Sequence, residues 1–226
     1  DTGKLHIERV EAFPLPEGMS VEGFRTVETL KGFAQHLRST VAEYPSEELD
    51  ELEAGETAPS YIVVGARACD VAAMELVDKV QVEGEFEDPF YRIRREKMFT
   101  IAADCTDCGE SCFCSLLGGK PWPEKGFDLS VAKVDAGYLV EAGSDRGEKV
   151  IGENGDLFTE VREGQEKARD EARAKVLAKL NEINSDFPEA SKVTEPLRAA
   201  LSDGLWDDES AKCVECGACT NICPTC

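Results

Sequence analysis

The sequence lacks several features that whole classes of proteins require. It contains only two histidines, and its 25 basic residues are outnumbered by 46 acidic ones. No run of eighteen apolar residues occurs in it, so these residues contain no candidate for a membrane span. The net charge of −21 repels phosphate backbones and anionic lipids, which makes nucleic acids and membrane surfaces poor partners.

Motifs for acid–base, nucleophilic and nucleotide chemistry are also missing. The chain shows no Ser/His/Asp set and no recognisable pair of carboxylates. The stretch VVGARA follows an apolar run but has neither a GxGxxG pattern nor a phosphate-binding lysine. We therefore predict no catalytic residues, and we expect this chain not to turn over a substrate by itself.

Cysteine is the abundant functional residue. The ten cysteines comprise the isolated Cys69 and two dense groups, at 105–114 and 213–226. Disulfide frameworks usually spread their cysteines through small, loop-rich chains, whereas this chain has 226 residues. Dense cysteine groups with few histidines are typical of thiolate ligand sets for a soft metal.

Hydrophobic patterns predict an α/β domain over residues 1–150, followed by a helical connector over 151–205. Buried strands are predicted at 60–65 and 98–103, a hairpin at 126–144, and one more short strand pair at 149–158. Helices are predicted at 26–43, at 70–80 with Asp70 as the N-cap, at Gln165–Ile183 and at 194–204. The arginines and lysine of 92–97 form the one basic run that we identify, and we interpret it as a solvated helix face.

The C-terminal residues 206–226 contain a strong motif. CVECGACTNICP, at 213–224, has the spacing C-x2-C-x2-C-x3-C-P, which is the bacterial ferredoxin pattern for a [4Fe-4S] cluster. In two-cluster ferredoxins the fourth cysteine binds the partner cluster. We therefore assign Cys213, Cys216 and Cys219 to one cluster and Cys223 to a second. Residues 206–226 would then be the first half of a ferredoxin-type domain.

A zinc–thiolate site is the alternative interpretation of the same cysteines. In that case the chain would be a structural or interaction module that docks a partner. Zinc knuckles usually place two C-x2-C pairs farther apart, so the spacing favours iron and sulfur. Cys226 is either a further ligand or a nearby thiol without that role.

The N-terminal cysteines follow predicted strands. Cys69 comes after the first strand and Cys105 after the second, and the carboxyl ends of parallel strands meet at one edge of a sheet. Cys112 and Cys114 flank Phe113, so an extended loop would point both thiols the same way. The spacing also allows a cluster held by Cys105, Cys108, Cys112 and Cys114 without Cys69.

Five stretches together resemble a known family. They are GARACD, DPFYRIRREKMFTIAADC, CFCSLLGGKP, GFDLSVAKV and LWDDESAKCVECGACTNICPTC. They resemble the iron–sulfur beta subunit of soluble [NiFe] sulfhydrogenases. The corresponding iron–sulfur subunits of anaerobic sulfite reductases and of heterodisulfide-reductase-linked complexes are similar to it.

The resemblance implies a set of ligands and partners. The family's cysteines match Cys69, Cys105, Cys112 and Cys114, which implies a further [4Fe-4S] cluster and up to three clusters in a full-length protein. Cys108 departs from the family pattern. The implied role is low-potential electron transfer between a flavin-containing, diaphorase-type subunit, or a ferredoxin-linked module, and a catalytic oxidoreductase subunit. The implied setting is the cytoplasm of an anaerobic cell.

Overall fold

A four-stranded mixed sheet forms the centre of the fold in a computed structural model that describes residues 28–35, 58–134 and 137–225. Its strands are β1 (Tyr61–Ala66), β2 (Met98–Ala103), β3 (Leu129–Val134) and β4 (Gly137–Ala142), in that spatial order. β1, β2 and β3 run parallel, and β4 pairs antiparallel with β3. The strands predicted at 60–65 and 98–103, the hairpin and the α/β class are confirmed.

Eight α-helices surround or follow the sheet within the described ranges. They are α1 (Lys31–Ala34), α2 (Ala68–Gln81), α3 (Pro89–Glu96), α4 (Asp145–Glu153), α5 (Gln165–Ile183), α6 (Ala190–Ala199), α7 (Leu205–Ser210) and α8 (Ala218–Ile222). Short 3-10 turns occur at Cys114–Leu117, Gly155–Leu157 and Ala200–Ser202. α5 has the predicted bounds, whereas most of the helix predicted at 26–43 lies outside the described residues.

The strand pair predicted at 149–158 is wrong. Helix α4 covers the first part of this stretch, and a 3-10 turn follows it. The Ser144 side chain accepts a hydrogen bond from the Gly147 N–H at 3.2 Å, and Asp145 and Glu148 lie in the first turn. An N-cap serine followed by acidic residues in the first turn favours a helix. This signal outweighs the strand preference of Val150 and Ile151.

Asp70 does not occupy the N-cap position that we predicted for the second helix. Helix α2 begins three residues earlier, and its N-cap is Arg67. The Asp70 carboxylate instead accepts the Arg67 backbone N–H at 3.0 Å, as the acidic member of a capping box does. The helix therefore includes Cys69 in its first turn.

The basic run at 92–97 is a solvated face only at Arg92, which is exposed and pairs with Glu87. Arg94 is 7% exposed and donates to the Ala34 carbonyl, and Arg95 forms an ion pair with Asp78. Lys97 donates to the Ala58 carbonyl at 3.0 Å. These contacts hold α1 and α3 beside the sheet, so the run stabilises the fold internally.

Gly147 in α4 offers a sharp stability test. A Cβ at this position would overlap the Asp128 carbonyl oxygen, which belongs to the backbone and cannot rotate away. We expect Gly147→Ala to lower the free energy of unfolding by about 3 kcal/mol, because overpacking forces the backbone to move. Urea unfolding followed by circular dichroism measures this change.

Gly152 provides the matched control in the same helix. A Cβ there meets nothing within 4 Å. Gly152→Ala should leave stability unchanged or raise it by up to about 1 kcal/mol, through the better helix propensity of alanine. Equal effects of the two substitutions would contradict the packing described for Gly147.

Candidate metal centre

The parallel pairing of β1 and β2 places Cys69 and Cys105 at the same edge of the sheet. β1 ends at Ala66, just before the helix that carries Cys69, and β2 ends at Ala103, two residues before Cys105. The Arg67 guanidinium joins the two segments. Its Nη1 donates to the carbonyl of Ala103 at 3.2 Å and to that of Asp104 at 2.9 Å.

The thiols of Cys69, Cys105, Cys112 and Cys114 lie close enough together to interact electrostatically. Burial raises the pKa of Cys105 to about 12, and the neighbouring thiols add to this rise while the Arg67 guanidinium opposes it. Cys69 is exposed by surface area, but the protein packed around its sulfur still raises its pKa to about 12, with Asp70 and Cys114 contributing. Metal binding would therefore have to displace protons from these thiols.

Backbone N–H groups point at several of the sulfurs. The Gly109 N–H donates to the Cys112 sulfur at 3.3 Å, and the Asp70 and Ser115 N–H groups donate to Cys69 and Cys114. Hydrogen bonds of this kind stabilise thiolates and tune the potential of clusters that thiolates bind. The donor pattern therefore fits a cluster-binding loop.

Cys108 is the most buried thiol of this site. It is 6% exposed and packs against Val176 and Leu180 of α5, in a cluster that Cys105, Cys112 and Cys114 also contact. Burial raises its pKa, and Lys179 opposes the rise while Cys112 adds to it. Cys108 therefore has the environment of a small core residue, although it lies next to the other thiols.

Helix α5 contacts the cysteine loop more closely than the sequence indicated. Arg173 donates twice to the Asp104 carboxylate, from Nε at 2.6 Å and from Nη2 at 3.1 Å. Asn184 donates to the Cys112 carbonyl at 3.0 Å, and Lys179 pairs with Asp107. The sequence predicted helix α5 but not these contacts.

The C-terminal cysteines lie in a tight loop followed by a short helix. Gly217 has φ +70°, a left-handed conformation that glycine adopts without strain, and Glu215 also adopts a positive φ of 54°. The Glu215 N–H donates to the Cys213 sulfur at 3.4 Å. Cys219 then lies on α8, and Cys223 follows its end.

Lys31 connects this C-terminal segment to the α/β domain. Its ammonium donates to the carbonyls of Thr220 at 2.7 Å and Cys223 at 2.8 Å. These carbonyls lie at the C-terminal end of α8, where a cation interacts favourably with the helix dipole. Lys31 itself is only 9% exposed. The segment is thus fixed by a buried cation.

Among residues 28–35, 58–134 and 137–225, no group of three or more His, Cys, Asp or Glu side chains is arranged to hold a metal ion. In the same ranges no helix combines the length and apolarity that crossing a membrane requires.

Comparison with known proteins identifies a clear relative. Sulfhydrogenase 2 subunit beta of Pyrococcus furiosus is 29% identical to this chain over 211 residues. The chain is similar to a sulfhydrogenase beta subunit. The resemblance predicted from the five stretches is thereby confirmed.

The match covers a larger share of this chain than of the sulfhydrogenase subunit. It covers 92% of this chain but 59% of the sulfhydrogenase subunit, so the chain spans about three-fifths of that protein's length. No family model matches the chain. No solved structure matches it either.

Proposed function

We propose that the chain is an iron–sulfur electron-transfer subunit of a multisubunit oxidoreductase. It would relay low-potential electrons between a flavin/NAD(P)H-linked or ferredoxin-linked module and a catalytic subunit of the hydrogenase, sulfite reductase or heterodisulfide reductase type. The observation that carries the proposal is the ferredoxin spacing of Cys213, Cys216, Cys219 and Cys223. Similarity to the sulfhydrogenase subunit supports it.

The C-terminal ligands would be Cys213, Cys216 and Cys219 for one cluster and Cys223 for a second. The positive φ values at Glu215 and Gly217 and the N–H donated to the Cys213 sulfur fit a loop that wraps a cluster. Lys31 holds the end of this segment against the α/β domain.

The N-terminal ligands would be Cys69, Cys105, Cys112 and Cys114. Electrostatic contact among these four thiols and three backbone N–H donors support this set, and the burial of Cys108, deeper than that of the other four, supports leaving it out. Burial of the Arg67 guanidinium lowers its pKa, but the nearby Cys105, Asp70 and Cys69 oppose that effect. An arginine guanidinium stays charged in proteins, so Arg67 would offset the negative charge of the thiolates.

A bound [4Fe-4S] cluster supplies reversible one-electron transfer. The protein's part is to hold the thiolates and to set the potential. The net charge of −21 makes an added electron less favourable, which lowers the reduction potential. A cytoplasmic location, where thiols stay reduced, suits nine free cysteines among the residues that the structure describes.

Anaerobic reconstitution tests the proposal. The chain is incubated with iron, sulfide and a thiol reductant, desalted, and analysed for iron, acid-labile sulfide and visible absorption. We expect a brown protein with about four iron and four sulfide per N-terminal site, and more if the C-terminal loop also binds a cluster. A colourless chain that takes up zinc but no sulfide would refute it and support the zinc alternative.

A further inference from the structure

An aromatic groove lies directly beside the cysteine loop. Its walls are the loop with its 3-10 turn on one side and the residues after α5 with part of α6 on the other, and its volume is about 580 Å³. This volume falls in the range of small-molecule sites, which is about 300–1,000 Å³. The main apolar side chains of the aromatic groove are Phe113, Leu116, Leu117, Phe187, Val193 and Leu197.

Several of these side chains are open to solvent. Phe187 is 62% exposed and Phe113 is 57% exposed, and Leu117 and Leu197 are also exposed. A single exposed apolar residue needs no explanation, but a contiguous apolar surface around a concave site is typical of a binding site. A ligand that covers this surface gains the free energy of removing it from water.

The charge of the lining restricts the ligand. Within the described ranges, Glu110 is the one charged side chain that lines the aromatic groove, and no basic side chain lines it. The net charge of the chain is −21. Phosphates, nucleotides and other anions are therefore unfavourable ligands here, and an uncharged molecule suits the site better.

Asn184 adds a polar group with a defined role. It is only 6% exposed, and its Nδ2 donates to the carbonyls of Cys112 and Leu180, both at 3.0 Å. These two bonds fix which end of the amide is the oxygen. Within the part of the chain that the structure describes, Oδ1 accepts no hydrogen bond, and no fully buried side-chain oxygen lacks a partner. Oδ1 therefore remains open, and Asn184 lines the groove.

We propose that the aromatic groove binds a small, uncharged aromatic molecule with hydroxyl donors, of the hydroquinone class. Phe113 and Phe187 can pack against its ring, and the Asn184 Oδ1 can accept one of its hydroxyl groups. Cys112 also lines the groove, so the choice of a redox-active class rests on the proposed function of Cys112 as a cluster ligand. Binding itself needs no metal in the chain.

Anaerobic calorimetric titration of the full chain with menadiol tests the site, with no iron added. Menadiol dimethyl ether, which keeps the ring system but has no hydroxyl donor, is titrated in parallel. We expect saturable one-to-one binding of menadiol that is about tenfold tighter than binding of the ether, because the ether offers no donor to the Asn184 oxygen.

Phe187→Ala/Leu197→Ala should weaken menadiol binding about tenfold, because it removes apolar contacts from the groove. Both side chains are exposed, so the variant should fold normally. Phe86→Ala/Leu201→Ala is the matched control, since it removes the same two kinds of side chain from exposed sites outside the groove. It should bind menadiol like the unmodified chain.

Equal binding of menadiol and its ether, or equal weakening in the two double variants, would overturn the proposal. Absence of saturable binding would also overturn it and would indicate that the groove receives side chains of a partner protein. A dimer in gel filtration that becomes a monomer only in Phe187→Ala/Leu197→Ala would overturn it in favour of a second copy of the chain. Iron content is measured separately, so failure here leaves the electron-transfer proposal untouched, and menadiol binding without iron uptake would refute electron transfer alone.

Discussion

Cys69→Ala should remove about four iron atoms per chain after anaerobic reconstitution, because a [4Fe-4S] cluster needs four thiolates. This expectation rests on the proposed function and on the ligand set Cys69, Cys105, Cys112 and Cys114. Cys69 is exposed in the first turn of α2, so its replacement should cost little folding stability. Loss of iron would then report lost ligation and not lost structure.

Cys108→Ala is the matched control. It also removes one thiol from the same neighbourhood, but the thiol that it removes packs against Val176 and Leu180. Alanine avoids burying a serine hydroxyl among these apolar groups. We expect the iron and sulfide content and the EPR spectrum of the reduced protein to match those of the unmodified chain.

The opposite pattern would change the ligand assignment. Loss of iron with Cys108→Ala and retention with Cys69→Ala would show that Cys105, Cys108, Cys112 and Cys114 bind the cluster. Retention in both variants would mean that the N-terminal thiols bind none.

Asp128→Ala should lower the free energy of unfolding by about 3 kcal/mol, because it removes a buried carboxylate from its hydrogen-bond donors. Asp128 is 4% exposed and accepts four hydrogen bonds. The donors are the Thr100 N–H at 2.8 Å, the Ser144 hydroxyl at 2.6 Å, and the Arg146 Nε and Nη2 at 3.0 and 2.9 Å. These bonds join β2 to the start of α4.

Removing the carboxylate leaves a buried N–H and a hydroxyl without their acceptor, and this accounts for most of the loss. Arg146 keeps its bonds to the Glu96 and Met98 carbonyls and is half exposed, so its charge adds less. Urea unfolding of Asp128→Ala is compared with Asp186→Ala, which alters an exposed residue and should change stability little. A loss below about 1 kcal/mol would show that Asp128 acts like a surface ion pair.

Local patterns of hydrophobicity and composition were sufficient to predict the sheet and α5. The apolar run at Met98–Ala103 and the alternation of the hairpin each follow the period of a strand, and the Ala/Glu/Lys/Arg composition of α5 favours a helix. The prediction for the α4 segment failed because its capping serine lies just before the stretch that we took for a strand pair.

The candidate site was predictable only where the order of elements along the chain determines which residues meet in space. Parallel strands bring Cys69 and Cys105 to one edge, which the sequence indicates. The contact of Arg173 with Asp104 spans 69 residues, and no local period encodes such a contact. The same holds for Arg94 and Arg95, whose partners Ala34 and Asp78 belong to other helices.

The Lys31 contact has a kinetic consequence. It joins residues 189 and 192 positions apart in sequence, so it closes the longest loops described in the chain. Contacts of such high sequence separation form late in folding. During synthesis, α1 and the sheet emerge well before the C-terminal cysteines. Cys213, Cys216 and Cys219 are exposed with the lysine contact formed, so their thiols stay accessible both before and after the end of α8 is held.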